Sequence, residues 1–190
     1  VFANKVQPDN IDLVTAGLRK SLPNSVLINS IPIISSLNNP TIQEIANELN
    51  AKVLFGAAYL NNQTSNFSVG AMQLSNYLMH LKEGCLVITP GDRADIILGA
   101  LQANESANYP TVSGIVLTGN ILPEPSILKL IEGLSTLVPI ITVEHGTYQI
   151  VNRIGDIKAK IYSNNKQKIE TSIHTFEKYV DLDNLTEKLI

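Results

Sequence analysis

Leu86-Val87-Ile88-Thr89-Pro90-Gly91-Asp92-Arg93-Ala94-Asp95-Ile96-Ile97 is an apolar β-rich run that passes through a Pro-Gly turn directly into residues of helical period. A strand running through a tight turn into a helix is half of a βαβ unit. In an open α/β sheet such a turn lies at the carboxyl edge of the strands, where ligands bind. The turn leaves backbone N–H groups at the helix start and sets Arg93, a planar cation suited to carboxylate or phosphate, beside them.

The same rhythm extends in both directions. Downstream, a helix over residues 92–103 leads to a strand at 114–118, a helix over 125–132 and a strand at 139–143. Upstream, strands at 1–6 and 25–31 flank a helix opened by Pro8-Asp9, in which Leu13, Val14, Leu18 and Leu22 recur at helical spacing. A helix started by Pro40-Thr41 carries Ile42, Ile45, Ala46 and Leu49 on one face and ends at Asn50, before a strand at 53–55. Residues 57–67 read as a polar surface connector, and Val69, Met72, Leu74, Leu78 and Leu81 as a helix ending at Gly84. Near the end, Ile169, Ile173, Phe176 and Val180 mark an amphipathic helix, and 181–190 the start of another. The fold class this predicts is α/β, a mostly parallel sheet with flanking helices, plus a partial βαβ appendage at the start of the chain. The Ser- and Asn-rich residues 35–39 mark the boundary.

Composition narrows the function. With 44% hydrophobic residues among 190, the chain can bury a core. The net charge of −3 comes from 14 basic and 17 acidic residues scattered along it, so no basic face serves nucleic acid. The longest apolar run, over residues 138–143, is broken by Pro139 and Thr142 and falls far short of the roughly 20 residues of a membrane helix. Cys85 is the only cysteine and the three histidines lie far apart, so neither an internal disulfide nor a zinc set is expected. These features fit a reducing cytoplasm, with no metal, no cofactor, no nucleic acid and no membrane as partner. The chain starts at Val1 in what reads as a core strand, which points to a piece of something longer.

The candidate ligand-binding residues are Gly91, Asp92, Arg93 and Asp95 in the first turn and Thr118 and Gly119 in a second, Val116-Leu117-Thr118-Gly119-Asn120. Consecutive strands of βαβ units lie side by side, so the two turns should line one crevice, extended by Glu144, His145, Thr147 and Tyr148. Asp92 reads equally as an N-cap, with Asp95 three residues on as a capping-box-like partner. Arg93 should bind an anion or pair with a carboxylate. His145 has no nucleophile or carboxylate at a recognised spacing, and Cys85 at the start of a buried strand reads as a small core residue. With no G-x-x-x-x-G-K-[ST], G-x-G-x-x-G, G-x-S-x-G or H-E-x-x-H in the chain, no residue is nominated as catalytic.

Asp92-Arg93 and Thr118-Gly119, within 88–100 and 114–120, resemble the DRTGG domain, named for an Asp-Arg pair and a Thr-Gly-Gly turn. Asn120 stands where that pattern has its last glycine. The likeness spans roughly residues 50–180. Residues 31–33 and 39–56 are similar to the bridge that follows the dethiobiotin-synthetase-like P-loop domain in long phosphate acetyltransferases, and residues 1–6 look like a late strand of that domain. The resemblance therefore implies three segments: 1–38 as the tail of a P-loop domain, 39–180 as the DRTGG domain, and 181–190 as a lead-out toward a catalytic domain of the same chain. It implies a non-catalytic regulatory or oligomerisation region, assembling as a homo-oligomer and answering to a small anionic effector. A nucleotide-sensing module of another parent, a pyrophosphatase or a cobyrinate- or dethiobiotin-synthetase-like protein, is the alternative.

Overall fold

The computed structural model describes residues 1–134, 138–163 and 165–187. The chain divides into two compact units, one made of Val1–Asn38 and Lys160–Ile190, the other of Asn39–Ala159.

In the first unit, β1 (Phe2–Val6) and β2 (Asn29–Pro32) pair in parallel, joined by helix α1 (Ile11–Ser21). Thr15 on α1 reaches β2 through a 2.7 Å contact between its hydroxyl and that of Ser30. The short helix α2 (Ser35–Asn38) closes this segment. The second unit begins with α3 (Ile42–Leu49), whose start is fixed by a reciprocal cap. The Thr41 hydroxyl accepts the Glu44 N–H, and the Glu44 carboxylate accepts the Thr41 N–H at 2.6 Å. Its end is fixed by Asn50, left-handed at φ 51°.

Then come β3 (Lys52–Phe55), β4 (Asn66–Val69), α4 (Leu74–Met79), β5 (Cys85–Pro90), α5 (Ala94–Glu105), β6 (Val112–Thr118), α6 (Pro125–Glu132), β7 (Ile140–Thr142) and α7 (Thr147–Asp156). The five strands form one sheet in the order β3-β7-β6-β5-β4, parallel except for β3, which runs antiparallel to β7 at one edge. This is the expected α/β class. Its two apolar faces account for the near-continuous Val and Ile of β5 and β6. One face buries Val87, Ile115, Leu117 and Ile140 with Ile96, Ile97 and Leu101 of α5. The other buries Leu86, Ile88, Val116 and Ile141 with Ile42 and Ile45 of α3 and Ile150 and Ile154 of α7. After these, α8 (Lys166–Tyr179) and α9 (Leu182–Glu187) return to the first unit.

Two expectations need correction. The stretch read as connector and then helix contains the edge strand β4, and the helix that follows is only α4; Asn66 and Ser68 disguise a strand of four residues as loop. Helix α7, over residues 147–156, adds to the expected elements and is anchored by two buried positions, Ile150 and Ile154. The apolar stripe of α8 is not its buried face throughout: Ile173 and Phe176 are exposed while Lys168 and Thr175 are buried, and the Phe176 ring stacks on Phe2 with centroids 6.4 Å apart. Residues 188–190 of the proposed lead-out lie outside the described residues.

Candidate functional site

Strands β5 and β6 stay in register to their last residues, with Pro90 opposite Thr118. The turn after β5 and the turn after β6 are therefore neighbours at the carboxyl edge, as the sequence requires. Strand β7, on the far side of β6, adds residues 143–148. Gly119 donates its N–H to the His145 carbonyl at 2.8 Å and Asn120 donates to the Val143 carbonyl at 2.8 Å. Below them the Thr118 and Thr147 hydroxyls meet at 2.8 Å. Gly119 (φ 77°) and Asn120 (φ 55°) are both left-handed, a conformation glycine adopts freely and asparagine tolerates better than most residues. The Asn at 120 thus keeps the turn its glycine would make.

Gly91 has a different task. A Cβ there would collide with the Ile121 carbonyl, so the absence of a side chain lets the first turn touch the segment after the second. Arg93 does most of the bonding. Its guanidinium forks onto Asp95, Nε to Oδ1 and Nη2 to Oδ2, both at 2.9 Å. Nη1 donates to the Gly70 carbonyl at 2.9 Å and Nη2 to the Met72 carbonyl at 2.7 Å. Four of the five donors of a guanidinium are accounted for in this way. The bidentate bond from Arg93 holds the Asp95 carboxyl below the usual carboxylate range, and the same bond raises the Arg93 pKa.

Arg93 is itself the N-cap residue of α5 and makes no side-chain cap; Asp92 is exposed and makes no hydrogen bond among the described residues. The expected Asp92 cap is not formed, because the helix starts two residues later and Asp95 faces Arg93. His145 enters the site through its backbone carbonyl. Cys85 is fully buried, and burial pushes its thiol up to about 11, as suits a core residue. No group of three or more His, Cys, Asp or Glu side chains converges to hold a metal among the described residues. No described helix is long and apolar enough to cross a membrane.

The carbonyls of Gly70 and Met72 are the participants that sequence reasoning missed. They lie 23 and 21 residues before Arg93 and act through backbone atoms, which carry no side-chain signature. The geometry as a whole is a knot. The Asp-Arg turn and the Thr-Gly-Asn turn tie together β5, β6, the loop after β7, and the connection between β4 and α4.

A family model described as the DRTGG domain matches residues 44–157. The chain belongs to the DRTGG domain family. That span holds the whole five-stranded sheet and the knot at its carboxyl edge. The phosphate acetyltransferase of Nitratidesulfovibrio vulgaris is 37% identical over 168 residues, covering 88% of this chain and 24% of the relative. That of Synechocystis is 37% identical over 191 residues, covering 100% and 27%. The Escherichia coli enzyme is 24% identical over 182 residues, covering 95% and 25%. The chain thus spans about a quarter of the length of the curated relatives it matches. Among solved structures, the CBS and DRTGG domains of the regulatory region of Clostridium perfringens pyrophosphatase, complexed with the activator diadenosine tetraphosphate, align with TM-score 0.47 and 19% identity. The alignment covers 87% of this chain and 68% of that one.

Proposed function

We propose that this DRTGG chain is a non-catalytic regulatory and assembly region of a phosphate acetyltransferase, whose reaction converts acetyl-CoA and phosphate into acetyl phosphate and CoA. In this reading residues 1–38 are the tail of a dethiobiotin-synthetase-like P-loop domain, 39–180 the DRTGG domain and 181–190 the lead toward the catalytic domain.

The observation that carries the reading is the bonding of the signature. Arg93 is held by Asp95, Gly70 and Met72, and the N–H groups of Gly119 and Asn120 are held by carbonyls. A signature whose polar groups bond one another fixes strands and loops; it offers little to a reacting substrate. An anionic effector at Gly91, Asp92, Arg93, Asp95, Thr118 and Gly119 would have to displace Asp95 from the guanidinium, which favours assembly as the principal role. Likeness to the phosphate acetyltransferases at 37% identity supports the parent.

The test is an assay of the purified chain for acetyl phosphate formed from acetyl-CoA and phosphate. The reading expects a rate equal to a no-protein control; sustained turnover proportional to protein would overturn it.

A further inference from the structure

The charged residues of this chain are unevenly placed. Although 16% of it is charged, residues 53–81 contain no Asp, Glu, Lys or Arg. That stretch includes β4 and α4 at one edge of the five-stranded sheet. It also carries exposed large apolar side chains: Phe67 is 40% exposed, Met72 49% and Met79 74%. Loss of charge with gain of aromatic and methionine side chains is the composition of a contact surface's centre.

The edge itself is open. Gly70 donates its N–H to the Ile88 carbonyl, and β4 pairs with β5 in unbroken register from Asn66 opposite Cys85 to Val69 opposite Ile88. By the alternation of a parallel ladder, residues 66, 68 and 70 then face β5, and Phe67 and Val69 turn their backbone groups outward. The Val69 carbonyl accepts the Ala71 N–H, which leaves Phe67 as the residue with both N–H and C=O available. Sheet edges are ordinarily guarded by charge, proline or a bulge. The opposite edge strand, β3, carries Lys52 and an irregular register between Val53 and Phe55; β4 carries no such device.

We propose that β4 is a two-fold interface at which the chain pairs with a second copy of itself. A two-fold contact sets each residue against its own mate or near it, so a charged edge would repel itself, and this one is uncharged. An antiparallel pair centred on Phe67 lets that residue donate to and accept from its counterpart, the hydrogen-bonded pair of an antiparallel ladder. The two rings then lie opposite each other on one face, a cross-strand aromatic pair. The exposed methionines widen the contact beyond the strand. The proposal deepens the assembly reading and rests on it. It also gives the signature arginine a purpose, because Arg93 holds the Gly70 and Met72 carbonyls at the very end of this edge.

Sedimentation equilibrium of the 190-residue chain and its Phe67→Lys and Met79→Lys variants tests this, with Phe67→Cys as a geometric probe. The expected result is a dimer for the parent chain, a fall in association of at least tenfold for each Lys variant at unchanged melting temperature, and a disulfide dimer of Phe67→Cys on mild oxidation. The cross-link is expected because a hydrogen-bonded pair sets Cα atoms about 5.5 Å apart. Leu130→Cys, exposed on α6, should form no disulfide dimer under the same oxidation. A dimer that survives both Lys variants and leaves Phe67→Cys uncross-linked would overturn the β4 interface while leaving assembly through another surface standing. A parent chain that stays monomeric at about 100 μM would overturn both.

Discussion

At the scale of the residue, Arg93 decides between a ligand site and a structural clamp. Its ion pair with Asp95 is partly exposed, with side chains 30% and 45% accessible, so solvent weakens the charge attraction and the backbone carbonyls matter as much. Arg93→Ala should lower stability by about 1–2 kcal/mol, read as a shifted denaturant midpoint at unchanged slope. Arg93→Lys should not restore it, because an ammonium cannot span Asp95 and two carbonyls with one fork. Added phosphate should protect neither parent nor variant; a phosphate-dependent rise in melting temperature that vanishes in Arg93→Ala would instead favour an anion site. Gly91→Ala is the sharper change. Its Cβ would press on the Ile121 backbone, an overpacking expected to cost about 1–3 kcal/mol, whereas Gly155→Ala, within α7 and with nothing near its Cβ, should be neutral or slightly stabilising. Acid should weaken the knot and also the opposite end of the sheet, where Glu83, just before β5, accepts the Thr111 N–H just before β6. Arg93 depresses the Asp95 pKa and the side chain of Thr111 depresses that of Glu83, so each carboxylate favours the folded state at pH values above the unfolded pKa of about 4. That contribution is lost as pH falls through the depressed folded values, and the melting temperature should drop most steeply below pH 4; a profile flat down to pH 2 would contradict this.

At the scale of the element, legibility followed burial. Strands β5 and β6 are buried on both faces and spelled in Val, Ile and Leu, so their positions, and the adjacency of their turns, could be read directly. Helix α3 was equally legible, because Thr41 and Glu44 close its start and Asn50 its end. Thr41→Ala should cost about 1 kcal/mol through the lost cap, detectable by thermal unfolding. What could not be read were elements held by neighbours. Strand β4 is specified by its ladder with β5 and by Arg93 at its end, not by its own four residues, and α7 by two buried isoleucines. The site was half legible for the same reason. Side-chain chemistry named Asp92, Arg93, Asp95, Thr118 and Gly119, but the acceptors that determine what Arg93 does are carbonyls of a distant segment.

At the scale of the whole molecule, the chain covers about a quarter of its phosphate acetyltransferase relatives, and the DRTGG match accounts for residues 44–157 of it. The two units differ in what they can bury alone. The five-stranded sheet has apolar helices on both faces, whereas in the other unit Phe2 of the two-stranded parallel sheet and Phe176 of α8 are exposed. Parallel strands are stable when covered on both sides, which is why we read residues 1–38 as part of a larger domain. We propose that this region assembles the enzyme and leaves its chemistry to the rest of the protein. The most direct measurement is the subunit number, by sedimentation equilibrium, of the intact Synechocystis phosphate acetyltransferase and of the same enzyme lacking the segment that matches this chain. A smaller assembly on excision is the predicted result; an unchanged subunit number would contradict the account.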